Sequence, residues 1–101
     1  MVKKPYEVVW TKRSQLQLHA VFKNISETSP VNAEKVVADI LSAVEKASTN
    51  PEFYGPDKFK SANDGSYRAF EKHRYRIAYR FSEEIIRVLR VRHTKMEPKA
   101  Y

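Results

Sequence analysis

The segment Arg74-Tyr75-Arg76-Ile77-Ala78-Tyr79-Arg80-Phe81 alternates guanidinium with aromatic or aliphatic side chains, and seven of the chain's eight arginines fall between Arg68 and Arg92. Arginine keeps its charge near neutral pH. A set of like charges on one strand face repels itself, so the cluster calls for an anionic partner. A phosphate is the partner on which such a face could also do chemistry. When a ribose 2′-hydroxyl attacks the neighbouring phosphate, RNA is cut without metal or cofactor. The reaction needs a group to take the hydroxyl proton, cations around the pentavalent phosphate, and a proton for the departing 5′-oxygen. Arginines supply the electrostatic part, with Arg76 held in mid-strand. His93, with a reference pKa of about 6.5, suits proton transfer. Asp57, Glu71 and His73 are further candidates, and Tyr101 could serve only where cations lower its pKa from about 10. Lys60, Arg74, Arg90, Arg92 and Lys95 are expected to hold phosphates.

Composition narrows the partners. The chain has 101 residues, enough for one core, and 19 Lys and Arg against 12 Asp and Glu give a net charge of +7. A surplus of that size suggests nucleic acid, an anionic surface or an acidic protein. No apolar run approaches the roughly 20 residues of a spanning helix, and Met1-Val2-Lys3-Lys4-Pro5-Tyr6 lacks the apolar stretch of a signal peptide, so no membrane partner is expected. There is no cysteine. That excludes disulfides and thiolate metal sites, and fits a cytoplasmic protein. His19, His73 and His93 show no metal-ligand spacing.

The elements that must position these residues read simply. Tyr6–Trp10 is β-like. Thr11 can cap a helix from about Lys12 to Glu27, with Leu18, Val21, Phe22 and Ile25 at helical spacing. Ser29-Pro30 opens a second helix to about Ser48, with Ala33, Val37, Ile40, Val44 and Ala47 on one stripe. So short a connection makes an antiparallel hairpin. Asn50-Pro51 closes it, and a loop runs to about Ser66. Strands are expected at about Tyr67–Lys72, Arg74–Ser82 and Ile85–His93, with Glu83-Glu84 in the last turn.

The fold class is therefore α+β, in the order β-α-α-β-β-β, with the hairpin on one face of a small, mainly antiparallel sheet. Simple alternation puts Tyr75, Ile77, Tyr79 and Phe81 on the covered face. It puts Arg68, Phe70, Lys72, Arg74, Arg76 and Arg80 on the open one. On the last strand it assigns Ile85, Leu89 and Val91 to the core, and Ile86, Val88, Arg90 and Arg92 to the open face. Arg76, as a surface residue, is expected to be replaceable with little effect on stability.

These residues carry a resemblance. Tyr75-Arg76-Ile77-Ala78-Tyr79, followed by Ile85-Ile86-Arg87-Val88-Leu89-Arg90-Val91-Arg92-His93, is similar to the RelE/ParE family of bacterial type II toxins. The likeness extends to Trp10, the hairpin and Asn50-Pro51, over nearly the whole chain. It implies one toxin domain over residues 1–101, neutralised by a cognate acidic antitoxin. RelE-type members cleave mRNA on the ribosome without metal, and ParE-type members poison DNA gyrase. Arg76 matches the strand arginine of the RelE-type site, and Arg68 falls where those nucleases place a lysine. Pro56-Asp57-Lys58-Phe59-Lys60 is similar to the Pro-Glu-x-x-Lys loop of the YoeB branch, with Asp57 for the carboxylate and Lys60 for the lysine. Arg92-His93 falls near that branch's C-terminal histidine, and Tyr101 could stand for its C-terminal tyrosine. Phe70 replaces a second lysine, the tail runs on past His93, and the Val88-Leu89-Arg90-Val91-x-His93 ending resembles ParE-type chains. The leading expectation is a metal-independent, ribosome-dependent mRNA endoribonuclease. The alternatives are a gyrase-binding toxin without catalysis and a basic nucleic-acid-binding module.

Overall fold

A computed structural model describes residues 4–96 and 100–101. Its elements are β1 (Glu7–Trp10), α1 (Lys12–Ser26), α2 (Pro30–Thr49), β2 (Tyr67–Lys72), β3 (Tyr75–Ser82) and β4 (Ile85–His93). The expected order and boundaries hold to within a residue. Each helix starts where its cap dictates. Thr11 accepts from the Ser14 amide at 3.2 Å, and Ser29 from the Asn32 amide at 3.1 Å with Pro30 beginning α2.

The strands lie in the order β1-β4-β3-β2, antiparallel except for β1, which runs parallel to β4. The hairpin covers one face. Val21, Val36, Ile40 and Val44 meet Phe70, Ile77, Tyr79, Ile86, Val88 and Val91 there. Tyr79 is buried, and its hydroxyl donates to the Pro51 carbonyl at 2.7 Å, anchoring the end of α2 to the sheet.

Alternation alone fails at two places. Ile86 and Val88 are core residues, whereas Ile85 and Leu89 are only half-buried. Register explains this. Tyr79 pairs with Val88 and Ala78 with Arg90, so Leu89 is an extra residue in β4. A bulge of this kind shifts the phase of every side chain beyond it. Val91 thus faces the core, and Arg90 and Arg92 the open side.

The second correction is β2, which is out of phase with the expectation. Phe70 pairs with Ile77 and Arg68 with Tyr79, so both point to the helix side, as does Lys72 opposite Tyr75. The open face of β2 carries Tyr67, Ala69 and Glu71 instead. Arg74 is not in a strand. It shares a two-residue turn with His73, at φ of 69° and 52°, and lies exposed.

Candidate functional site

The open sheet face gathers its polar groups because the 50–66 loop wraps the β2 edge. On the helix side Tyr54 stacks on Phe70 at 4.4 Å. The chain then runs along β2, where the Asp57 amide donates to the Tyr67 carbonyl at 2.8 Å and the Ala69 amide to Gly55 at 3.3 Å. Asn63 pins the return, its side chain donating to the Asp57 and Tyr67 carbonyls. This path delivers Asp57 and Phe59 to the open face.

Asp57 is the centre of the site. It is 3% exposed. Its carboxylate accepts from Arg76 Nη2 at 2.8 Å, the Tyr101 hydroxyl at 2.7 Å and the Phe59 amide at 3.0 Å. Burial pushes its carboxyl up, but the hydrogen bonds from Tyr101, Arg76 and Phe59 outweigh this and hold it below its usual range. Arg76 also lies over the Phe59 ring at 4.7 Å and reaches Glu71 at 3.5 Å. Its side chain is only 19% exposed.

Tyr101 closes the arrangement from above. Its amide donates to Phe59 at 3.0 Å, and its main-chain oxygen accepts from the Ser61 amide at 2.6 Å and from Lys60 Nζ at 3.1 Å. Arg90 lies over its ring at 4.2 Å. The space left among Asp57, Phe59, Arg76, Ala78, Arg90, Arg92 and Tyr101 is about 20 Å³, room for little more than a water molecule. Burial raises the phenol's pKa well above its ordinary value, and the Asp57 bond and charge raise it further, which Arg90 only partly opposes. The condition under which Tyr101 could take a proton, a pKa lowered by cations, is not met, because burial and the Asp57 carboxylate outweigh Arg90.

Asp57, Lys60, Arg76, Arg90, Arg92 and Tyr101 therefore come together. His93 stands apart from them at the end of β4, edge-on to Tyr75 with ring centroids 5.1 Å apart, and its Nδ1 accepts the Lys95 amide at 3.0 Å. It shares with Arg76 and Arg92 the lining of a cleft of about 230 Å³, to which Lys58 and Glu71 also contribute. Arg68 lies on the opposite face, 13% exposed in its side chain. It donates to the Gly65 carbonyl at 2.8 Å and to the Tyr54 carbonyl at 3.1 Å, so it ties the loop down. Arg74 and Lys95 are exposed outside the cluster. No group of His, Asp and Glu suited to a metal ion occurs among the described residues.

Two features escaped the sequence reading. One is Glu71 as a partner of Arg76. The other is the pair Arg80 and Arg87, which face each other across β3 and β4. Both follow from two-residue turns, at His73-Arg74 and Glu83-Glu84, once the register is counted outward from them.

The open face, the hairpin on the other side and the strand order define an α+β fold of two helices packed on a four-stranded mixed sheet. Residues 8–98 match the family model described as the ParE toxin of the type II toxin–antitoxin system parDE, and the chain belongs to that family. The structure resembles a chain of the chromosomal ParDE toxin–antitoxin system of P. aeruginosa, with a TM-score of 0.68 and 18% identity over 87% of this chain and 95% of that one. A chain of the RelBE2 toxin–antitoxin complex of Mycobacterium tuberculosis gives 0.62 and 21% identity, over 88% and 91%. The fold also recurs within TrmO of P. aeruginosa, at 0.56 and 15% identity over 91% of this chain and 35% of that one. No match is found among curated proteins.

Proposed function

We propose that this chain is the toxin of a type II toxin–antitoxin pair and that it arrests growth by binding its target, DNA gyrase, through the open sheet face without catalysis of its own. The observation that carries this is the state of Arg76. The cation that the RelE-type resemblance would set against a phosphate is already neutralised by buried Asp57 at 2.8 Å, whose other oxygen accepts the Tyr101 hydroxyl. A phenol whose pKa is raised is a poor general base at neutral pH. The ParE family match supports the same choice. A cognate antitoxin would neutralise the toxin by covering this basic face. The apolar groove of about 480 Å³ along Trp10, Leu18, Phe22, Val37 and Leu41 offers it a second area on the hairpin.

Cleavage of mRNA on the ribosome is the second reading, favoured by the cleft that brings Arg76, Arg92 and His93 to one lining. Induced expression in bacteria separates the two. Cleaved DNA trapped on gyrase, with mRNA intact, is the expected result. Messages cut at ribosomes, with gyrase unaffected, would transfer the function to the nuclease reading. Normal growth with abundant folded protein would remove both.

A further inference from the structure

Tyr101 is held in the way a ligand would be. Its amide donates to the Phe59 carbonyl at 3.0 Å, and its main-chain oxygen accepts from the Ser61 amide at 2.6 Å and from Lys60 Nζ at 3.1 Å. At the far end its hydroxyl donates to Asp57 Oδ2 at 2.7 Å. In between, Arg90 lies over the ring at 4.2 Å, Lys60 Nζ at 5.4 Å, and Tyr67 stands edge-on with centroids 5.9 Å apart. Asp57 divides its oxygens between two tasks. Oδ1 accepts from Arg76 and the Phe59 amide, whereas Oδ2 accepts from Tyr101 alone among the described residues. The cradle has supports of its own. The Asp57 amide bonds to the Tyr67 carbonyl at 2.8 Å, the Lys60 amide to the Asp57 carbonyl at 3.2 Å, and the Asn63 side chain to both of those carbonyls. Removing the ring would leave Oδ2 as an acceptor in need of a donor, inside a shape that persists.

We infer that Asp57, Phe59, Lys60, Ser61 and Arg90 form a binding site for a tyrosine residue, filled in cis by Tyr101, and that this occupant closes the Arg76, Arg90 and Arg92 end of the open face to outside ligands. The groups set the ligand class. The carboxylate selects a ring with a donor at its edge, the Ser61 amide and Lys60 select an oxygen, and the Phe59 carbonyl selects an N–H. The separation between them is that of one tyrosine residue. With Tyr101 in place the remaining space is about 20 Å³, so a ligand for this end must displace it. The consequence for activity rests on the toxin reading above. A target that uses this end of the face competes with Tyr101, and the chain thereby restrains its own toxicity.

Titrations of the full chain with N-acetyl-L-tyrosine and N-acetyl-L-phenylalanine, followed through the backbone amide resonances of Phe59 and Ser61, test the site. Tyr101→Ala is expected to bind the tyrosine probe, and the phenylalanine probe about tenfold or more weakly, since only the first brings a donor to a charged acceptor. Wild type should bind the tyrosine probe about tenfold or more weakly than the variant, because a tethered occupant competes at an effective concentration on the order of millimolar. No binding to Tyr101→Ala, equal binding of the two probes, or equal affinity of wild type and variant overturns the inference. Tyr101→Phe keeps the ring and loses the donor, so its affinity for the tyrosine probe should fall between those two. An affinity no higher than that of wild type would show that the hydroxyl does not hold the occupant, and overturns it as well. In induced cultures Tyr101→Ala should arrest growth at a lower level of folded protein than wild type. A requirement for more protein would make Tyr101 part of target binding and overturn the closure. Absence of arrest by either chain removes the toxin reading, while the titrations still decide the site.

Discussion

Replacing Asp57 by Asn is the perturbation that best probes how the site is held. Asn keeps the shape of the side chain and one oxygen for the Phe59 amide and Arg76. It removes the charge and puts an NH₂ group against the Tyr101 hydroxyl, which must then turn from donor to acceptor. Two of the bonds lost or weakened are charge-assisted, at 2.8 Å from Arg76 and 2.7 Å from Tyr101. Hydrogen bonds to charged groups contribute about 1.5–3 kcal/mol, and breaking a fully buried pair costs roughly 3–5 kcal/mol. The upper range does not apply, because the Arg76 side chain keeps 19% exposure and a second carboxylate, Glu71, at 3.5 Å. A loss of about 2 kcal/mol is expected, which in a domain of this size lowers the melting temperature by on the order of 10 °C.

The pH dependence fixes the cause. The carboxyl of Asp57 titrates below its ordinary range in the folded chain. A depressed folded-state pKa contributes stability that is fully present above the unfolded pKa of about 3.9 and is lost as pH falls through the folded value. The gap between wild type and Asp57→Asn, measured by urea unfolding, should therefore be widest near pH 7 and close progressively below about pH 4. A gap smaller than about 0.5 kcal/mol at pH 7 would refute the pairing. So would a full-sized gap that persists at the acid end, since it would show that shape rather than charge is responsible.

Arg76→Ala should destabilise by about 2 kcal/mol rather than behave as a neutral surface change, because it strands buried Asp57. In a double-mutant cycle with Asp57→Asn, that loss should largely disappear. Phe70→Ala should cost about 3 kcal/mol or more in chemical unfolding, because Phe70 packs between Tyr54 and Tyr79 in the core. A tolerant site would contradict the β2 register. Glu83→Asn/Glu84→Gly should raise stability by about 1 kcal/mol, since both residues now adopt positive φ, at 52° and 63°. A lower melting point would show that the acidic turn holds a contact of its own.

Much of the fold was legible because local signals agree with the packing. Thr11 and Ser29-Pro30 mark helix starts that the structure keeps, and the apolar stripe of α2 is buried much as its spacing indicates. The strand faces were legible only where alternation runs unbroken. On β3 it does, and Ile77 and Tyr79 are core. On β4 the extra residue Leu89 carries no side-chain signature, since a bulge is a property of the pair of strands rather than of one. On β2 the phase depends on register across the His73-Arg74 turn. That turn lacks the glycine that normally announces a two-residue hairpin. One position drove the misreading of the site: Phe70 looked like a missing active-site lysine and is instead a core residue, which also carries Arg68 to the wrong face for a phosphate.

Fold likeness alone leaves function open, since the same architecture occurs in chains of toxin–antitoxin systems and within TrmO. The distribution of compensated charge is more informative. One end of the open face satisfies its own cation through Asp57, Phe59 and Tyr101. The other leaves Arg80 and Arg87 opposed. A catalytic arginine gains most when its charge is free to meet a developing phosphate charge in a dry, fixed geometry. An arginine already bound to a buried carboxylate must first exchange partners, which offsets that gain. A binding arginine is under no such demand, and opposed cations on an exposed sheet suit a partner that brings its own carboxylates. The charge pattern thus supports the binding reading proposed above over the catalytic one, with Arg76 and Asp57 holding the open face in shape.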